Sequence, residues 1–199
     1  VSEQYFTANP QTKSDQKTWS YTLKGHAFTF TSDGGVFSKN DVDFGSRTLI
    51  EAYQSPDVPG DILDLGCGYG PIGLSLAKVY PERTIHLSDV NMRALELAEK
   101  NAKANQVTNV QFHLSDIFEK ISEDNFASIL TNPPIRAGKQ TVHQMFEDSF
   151  EHLKIGGTLW VVIQKKQGAP SAIKKLETLF ATVDLVTKNK GYFIIRAEK

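Results

Sequence analysis

The run Asp64-Leu65-Gly66-Cys67-Gly68-Tyr69-Gly70 joins an apolar stretch to a helical one. Glycines at a strand-to-helix turn let the backbone bend tightly and come close to a ligand. The spacing is G-x-G-x-G and not the G-x-G-x-x-G that suits a dinucleotide pyrophosphate, and Pro71 falls where a helix begins. Gly66 and Gly68 therefore favour an adenosyl sulfonium over NAD. Asp89 closes the next apolar strand, roughly 20 residues on, where a carboxylate can accept charge-assisted hydrogen bonds from both ribose hydroxyls. Asp116, in Ser115-Asp116-Ile117-Phe118, follows the third strand. It reads either as an N-cap or turn residue or as an acceptor for the adenine amino group, with apolar neighbours packing the ring. Asp64 reads as a turn carboxylate or as the electrostatic partner of a cationic amino group.

A second chemical signal follows the fourth strand, Asn132-Pro133-Pro134-Ile135-Arg136. Asn-Pro also starts ordinary turns. An amine on an aromatic ring has its lone pair delocalised, and two acceptors on its hydrogens turn that pair toward an electrophile. The Asn132 side-chain carbonyl and the Pro133 backbone carbonyl can be those acceptors, and both stabilise positive charge developing on nitrogen. Pro133 and Pro134 together fix the backbone that aims them. A sulfonium is already activated, so no acid–base pair is required. The histidines fit this: His86 and His113 fall in strands, His143 and His152 in a helical stretch and His26 in a turn, so none is expected to cluster with a carboxylate or with Cys67. That spacing predicts no metal site.

Positioning these groups requires a layered fold. After a polar opening to about Lys17, large apolar residues alternate at Trp19, Tyr21 and Leu23 and again at Phe28 and Phe30 around Lys24-Gly25, which predicts a β-hairpin. Leu49, Ile50 and Tyr53 give a short helix ahead of the core. From Asp61 the chain alternates strands over 62–65, 84–87, 110–114, 127–130 and 159–163 with helices over 72–79, 93–104, 142–153 and 172–180. This is the pattern of an α/β, mostly parallel, doubly wound sheet, and chemistry in such a sheet sits in the loops after the strands. Two last strands, 183–187 and 192–196, are joined by Lys188-Asn189-Lys190-Gly191, too short for a crossover, and must pair antiparallel. Residues 1–60 are expected as an extension packed on a core of 61–199, one structural domain overall.

Composition agrees with one soluble globular unit. The chain has 199 residues, 40% of them hydrophobic, with ordinary glycine and proline counts of 14 and 8 and one cysteine, so no internal disulfide is available. Its first residues lack the basic start and apolar run of a signal peptide, and no run reaches the length of a membrane span, so a cytoplasmic protein is expected. A net charge of −1 excludes binding nucleic acid by overall charge and leaves local patches to be read by position.

The strand order implied by the terminal hairpin resembles the seven-stranded fold of class I methyltransferases, and Asn132-Pro133-Pro134 resembles the N-P-P-aromatic motif of amino methyltransferases. Gly35-Val36-Phe37-Ser38, Asp43-Phe44-Gly45-Ser46-Arg47 and Gly138-Lys139 extend the likeness from about Thr22 to the end. They bring it to the small-subunit type of ribosomal RNA guanine-N2 methyltransferases. That resemblance implies S-adenosyl-L-methionine as cofactor, Phe37 and Ser38 over its methionine end, and ribosomal RNA or a ribosomal subunit as substrate, with no membrane or metal. Members often carry a further degenerate domain ahead of the catalytic one, and 199 residues leave no room for it. Where the family has its base-stacking aromatic this chain has Ile135, so the base packs on Ile135 or stacks on Arg136. Gly156-Gly157 reads as a turn.

The parallel strands deliver their following loops to one edge, so Arg136, Lys139, Lys165, Lys166, Lys188 and Lys190 are expected to rim the cleft and meet RNA phosphates. Adenine N6 and a protein glutamine amide are alternative acceptors for the same N-P-P geometry. A cofactor- or RNA-binding module without catalysis and a nicotinamide dehydrogenase are the alternatives of another class.

Overall fold

The computed structural model describes residues 7–199; the first six residues of the polar opening lie outside them. β1 (Lys17–Leu23) and β2 (His26–Ser32) form the hairpin, closed by Lys24 and Gly25, both at positive φ as a two-residue loop requires. His26 opens β2 instead of lying in the turn. The helix α1 (Phe44–Ala52) follows, and then β3 (Ile62–Leu65), α2 (Pro71–Val79), β4 (Ile85–Asp89), α3 (Met92–Ala104), β5 (Val110–Leu114), β6 (Phe126–Thr131) and α4 (Lys139–His152). β7 (Leu153–Gln164), α5 (Ala169–Leu179), β8 (Thr182–Asn189) and β9 (Tyr192–Glu198) complete the chain.

Seven strands make one sheet in the order β5-β4-β3-β6-β7-β9-β8. β3, β4, β5, β6 and β7 pair parallel, and β9 runs antiparallel to both β7 and β8. The order reverses between β4 and β6, on either side of β3, which places a crevice over the end of β3. Alternation along β3 sorts the core. Ile62 packs with the α1, α2, α3 and hairpin layer, whereas Leu63 and Leu65 pack with α4 and α5.

Two elements differ from their expected bounds. β7 begins at Leu153, not 159, because Gly156 and Gly157 are inside the strand: the Gly156 N–H donates to the Lys199 carbonyl at 2.8 Å and the Lys199 N–H to that of Gly157 at 3.0 Å. The register shift opposite Phe126 and Ser128 accommodates the irregularity. The connection from β5 to β6, residues 115–125, carries no helix, and Phe118 and Ile121 cover that part of the sheet instead.

The hairpin is bound to the core by amides that imitate a neighbouring strand. Asn101 on α3 and Asn105, which caps that helix one turn later, meet Thr31 and Thr29, two apart on β2. Asn101 accepts from the Thr31 N–H at 2.8 Å and donates to the Thr31 and Tyr69 carbonyls at 2.9 and 2.8 Å. Asn105 accepts from and donates to Thr29 at 2.8 Å each. These backbone groups have no sheet partner on that side, so the helix must supply one. Asn101→Ala would strand both Thr31 groups and the Tyr69 carbonyl in a buried setting, and a loss of about 2–4 kcal/mol in urea unfolding is expected, with little change in the slope of the transition.

Candidate active site

A cavity of about 300 Å³ opens over the end of β3, bordered among others by Phe37, Gly66, Gly68, Asp89, Asp116 and Asn132. The loop after β3 is held from below: the Gly66 and Cys67 N–H groups both donate to the Ser88 carbonyl, at 2.9 and 2.8 Å. Gly66 and Gly68 adopt φ of 76° and 57°, and a Cβ on either would meet no atom within 4 Å, because that side is the cavity. A flat ligand can therefore lie against bare backbone there.

Asp89 ends β4 beside this loop. Its Oδ2 accepts from the Gly68 N–H at 2.8 Å and its Oδ1 from the Asn91 N–H at 2.9 Å, which fixes the carboxylate and leaves further lone pairs toward the cavity. Burial raises its pKa, opposed by those N–H groups. Asp116 stands exposed at the mouth. The turn role open to it belongs to Ser115, whose hydroxyl accepts from the Lys120 N–H and donates to the Ile117 carbonyl, both at 3.0 Å.

Asp64 is not in the cavity lining. It is fully buried beneath the loop, its Oδ2 accepting from the Gly73 N–H of α2 at 2.8 Å while Oδ1 has no partner among the described residues. Burial pushes its pKa up to about 7, with the nearby Asp89 charge adding to the rise. Phe37 lines the cavity and is 43% exposed, whereas Ser38 turns away and donates to the Asp41 carbonyl, closing the loop that carries Phe37. The Tyr69 hydroxyl donates to the same carbonyl at 3.1 Å, and Asn91 holds the loop at the Gly35 carbonyl at 2.9 Å.

At the end of β6 the Thr131 hydroxyl donates to the Leu65 carbonyl at 2.9 Å, which ties the N-P-P segment to the glycine loop. The Asn132 Nδ2 donates to Asp43 Oδ2 and to Ser46 Oγ, each at 3.1 Å. A carboxylate can only accept, so this contact fixes which end of the amide is nitrogen, and the Asn132 carbonyl is left as the acceptor at the cavity. Pro134 lines the cavity and gives its carbonyl to the Ala137 N–H at 2.9 Å, and the Ile135 carbonyl accepts from Gly138. Pro133 is buried between these cavity residues, takes part in neither turn bond and does not itself border the cavity. Ile135 packs on the core beside α4 and does not line the cavity, and Arg136 is exposed.

Asp43 and Ser46 lie ahead of the expected core, and the chemistry is thus not confined to loops after strands. Asp43 is the N-cap of α1, accepting from the Ser46 N–H at 2.9 Å, and an Asp just before a helical run is a cap signature. Its second contact, to Asn132, had no local sign. The histidines also differ from expectation. His86 and His113 meet, Nδ1 to Nε2, at 2.8 Å, and the His86 Nε2 is 2.8 Å from Asp61 Oδ2.

The six cations reach the same edge of the sheet. Arg136 and Lys139 follow β6, Lys165 and Lys166 follow β7, and Lys188 and Lys190 close β8, which runs parallel to β7. Lys190 lies 4.9 Å over the Phe44 ring, next to the cap residue Asp43.

An open sheet of this order with a half-buried acid at the second strand end, a glycine cradle after the first and N-P-P after the fourth defines a class I methyltransferase. The family model "Methyltransferase small domain" matches residues 27–196, and the chain belongs to that family, whose cofactor is S-adenosylmethionine. It is 60% identical to the uncharacterized protein YbxB of Bacillus subtilis (strain 168), over 200 residues and the whole of both chains. It is 30% identical to the ribosomal RNA small subunit methyltransferase C of Vibrio cholerae, covering 92% of this chain and 53% of that one. The solved T. thermophilus 16S rRNA N2 G1207 methyltransferase (RsmC), in complex with AdoMet and guanosine, aligns at a TM-score of 0.83 and 28% identity, over 96% of this chain and 52% of that one. This chain spans about half the length of those two rRNA methyltransferases. No helix among the described residues is long and apolar enough to cross a membrane.

The cavity suits that cofactor: glycines whose missing side chains leave room, an anchored carboxylate at the second strand end, and acids near enough to balance a cation. Asp64 and Asp89 have folded pKa values above their unfolded ones, so each stabilises the ligand-free fold most at low pH. The contribution of Asp64 is complete below about pH 4, the unfolded value, and is lost as the pH rises through about 7; that of Asp89 changes in the same direction. Urea unfolding of the ligand-free protein should show this decline between pH 5 and pH 7.5 in buffer, on the order of the interval set by those values. The decline should be smaller in Asp64→Asn; an equal decline in that variant would assign it to other groups.

Proposed function

We propose that the chain transfers the methyl group of S-adenosylmethionine to an exocyclic amine of ribosomal RNA, guanine N2, with Asn132 and Pro133 orienting the amine. The observation that carries this is the locked Asn132 amide, whose nitrogen is spent on Asp43 and Ser46 so that its carbonyl faces the cavity. The likeness to a guanine-N2 enzyme over nearly the whole chain supports the choice of atom.

When bound, the cofactor supplies a methyl group on a positively charged sulfur that needs no acid to activate it. Asp89 holds the ribose end, Asp116 and Ile117 the base end, and Gly66 and Gly68 leave space for the backbone to approach, with Asp64 balancing charge from beneath. Phe37 covers the cavity from the loop before α1, and Ser38 and Tyr69 keep that loop closed. The Asn132 and Pro133 carbonyls accept the two amine hydrogens, aim the lone pair and take up the charge that develops on nitrogen. The proton then leaves to water. Base stacking falls to Phe37 or Arg136, because Ile135 is committed to the core.

Asn132→Ala should leave affinity for S-adenosylhomocysteine unchanged in calorimetry and lower turnover on ribosomal RNA by roughly 10²–10³. Activity within a few-fold of the wild type would mean that another group orients the amine. Mapping methylated nucleotides in a strain lacking the gene identifies the target base, and labelled transfer to adenine or to a protein glutamine would replace guanine N2 by one of those acceptors.

Lys165 and Lys166 lie beyond β7 on the catalytic edge, clear of the cofactor cavity. Replacing both by Ala should weaken RNA binding, flatten its salt dependence by about one unit of slope for each lost phosphate contact, and leave cofactor affinity unaltered. An unaltered affinity and slope would remove these two residues from the RNA surface.

A further inference from the structure

We propose that His86, His113 and Glu123 form a binding site for a divalent transition cation, zinc being the best match, with Asp61 orienting His86 from behind. The site lies across β4, β5 and the 115–125 connection, on the sheet face shared with Phe118 and Phe126, apart from the cofactor cavity.

His86 is 1% exposed and its two nitrogens have different tasks. Nε2 contacts Asp61 Oδ2 at 2.8 Å, and since a carboxylate accepts, that nitrogen carries the proton. Nδ1 is then a bare lone pair, facing His113 Nε2 at 2.8 Å. The ring planes differ by only 10° and their centroids are 5.1 Å apart, so the imidazoles meet edge to edge with both lone-pair directions in a common plane. Phe126 fixes the His86 ring from the side, at 5.2 Å and 81°.

A hydrogen bond between the rings accounts for the histidines but not for Glu123. Its Oε2 is shielded from solvent and has no hydrogen-bond partner among the described residues, a costly state for a carboxylate. That oxygen, His86 Nδ1 and His113 Nε2 all lie within 4.8 Å of one another. A tetrahedral ion about 2 Å from each nitrogen needs ligand atoms about 3.3 Å apart, so the two nitrogens part by about half an ångström as the imidazoles turn in their common plane to aim both lone pairs at the ion, and the carboxylate moves in. Binding moves the His113 proton from Nε2 to Nδ1 or to water, while Asp61 keeps the His86 Nε2 proton in place, as outer carboxylates do for zinc-ligating histidines. Two imidazoles and one carboxylate suit zinc; magnesium and calcium prefer oxygen throughout. The ion would clasp the helix-free connection, which also carries Asp116, to the edge of the sheet.

The experiment uses the untagged full chain, stripped with a chelator and dialysed against zinc chloride, with magnesium chloride as control. One zinc per chain is expected, with no magnesium bound. Glu123→Gln and His113→Ala should each lose stoichiometric binding, and Asp61→Ala should weaken it roughly ten- to hundredfold. Circular dichroism checks that each variant is folded. In the wild type, zinc should move the imidazole nitrogen resonances of His86 and His113 and leave those of His26, His143 and His152 in place. No zinc bound by the wild type, full affinity in folded Glu123→Gln, or shifts confined to the other three histidines would overturn the proposal.

Discussion

A single carboxylate oxygen, Asp43 Oδ2, accepts from the Ser46 N–H and from the Asn132 amide, and through these two bonds a helix that precedes the sheet is fastened to the end of its fourth parallel strand. The first bond starts α1 and the second decides which way the Asn132 amide faces. Without it the side chain could present nitrogen to the cavity as readily as oxygen, and a donor cannot hold an amine hydrogen. Thr131 adds the lateral fix by reaching the Leu65 carbonyl, so that the N-P-P segment, the glycine loop and α1 form one rigid corner. Precision at such a site comes from the supporting bonds more than from the reacting groups themselves.

The same corner concentrates acids where water is scarce. Burial raises the pKa of both Asp64 and Asp89, and the Asp89 charge raises that of Asp64 further. An unliganded carboxylate pair of this kind opposes its own ionisation, and a cationic ligand relieves it. The fold tolerates the strain because Gly68, Gly73 and Asn91 each direct a backbone N–H at one of the two acids.

The parallel sheet, the antiparallel ending, the hairpin and the strand-end residues Gly66, Gly68, Asp89 and Asn132 were legible in the sequence, because each rests on local periodicity or on a turn whose residues are adjacent. What escaped it depends on distance along the chain. Asp43 and Asn132 are 89 residues apart and His86 and His113 are 27 apart, and nothing in either neighbourhood announces the meeting. Asp64 and Ile135 were placed in the site by their motifs, yet Asp64 lies beneath the loop, since alternation along β3 decides which side of the sheet a residue serves, and Ile135, in the short helical turn after Pro134, packs against the core beside α4. Gly156-Gly157 passed for a turn because the bonds that keep it in β7 come from Lys199.

The amides that dock the hairpin set the order in which the molecule can be assembled. Thr29 and Thr31 find their partners 76 and 70 residues later, on a helix that must itself be formed before Asn101 and Asn105 stand on one face. Loops of that length close slowly relative to helices and hairpins. During synthesis β1 and β2 emerge before α3 and lack this docking partner until it has followed them, so Trp19, Phe28 and Phe30 are left without the helix that helps to cover them. Docking the hairpin on α3 also holds the chain leading to Phe37 and Asp43 down over the sheet, so one wall of the cofactor cavity depends on side chains of a helix that follows it by some way in the chain.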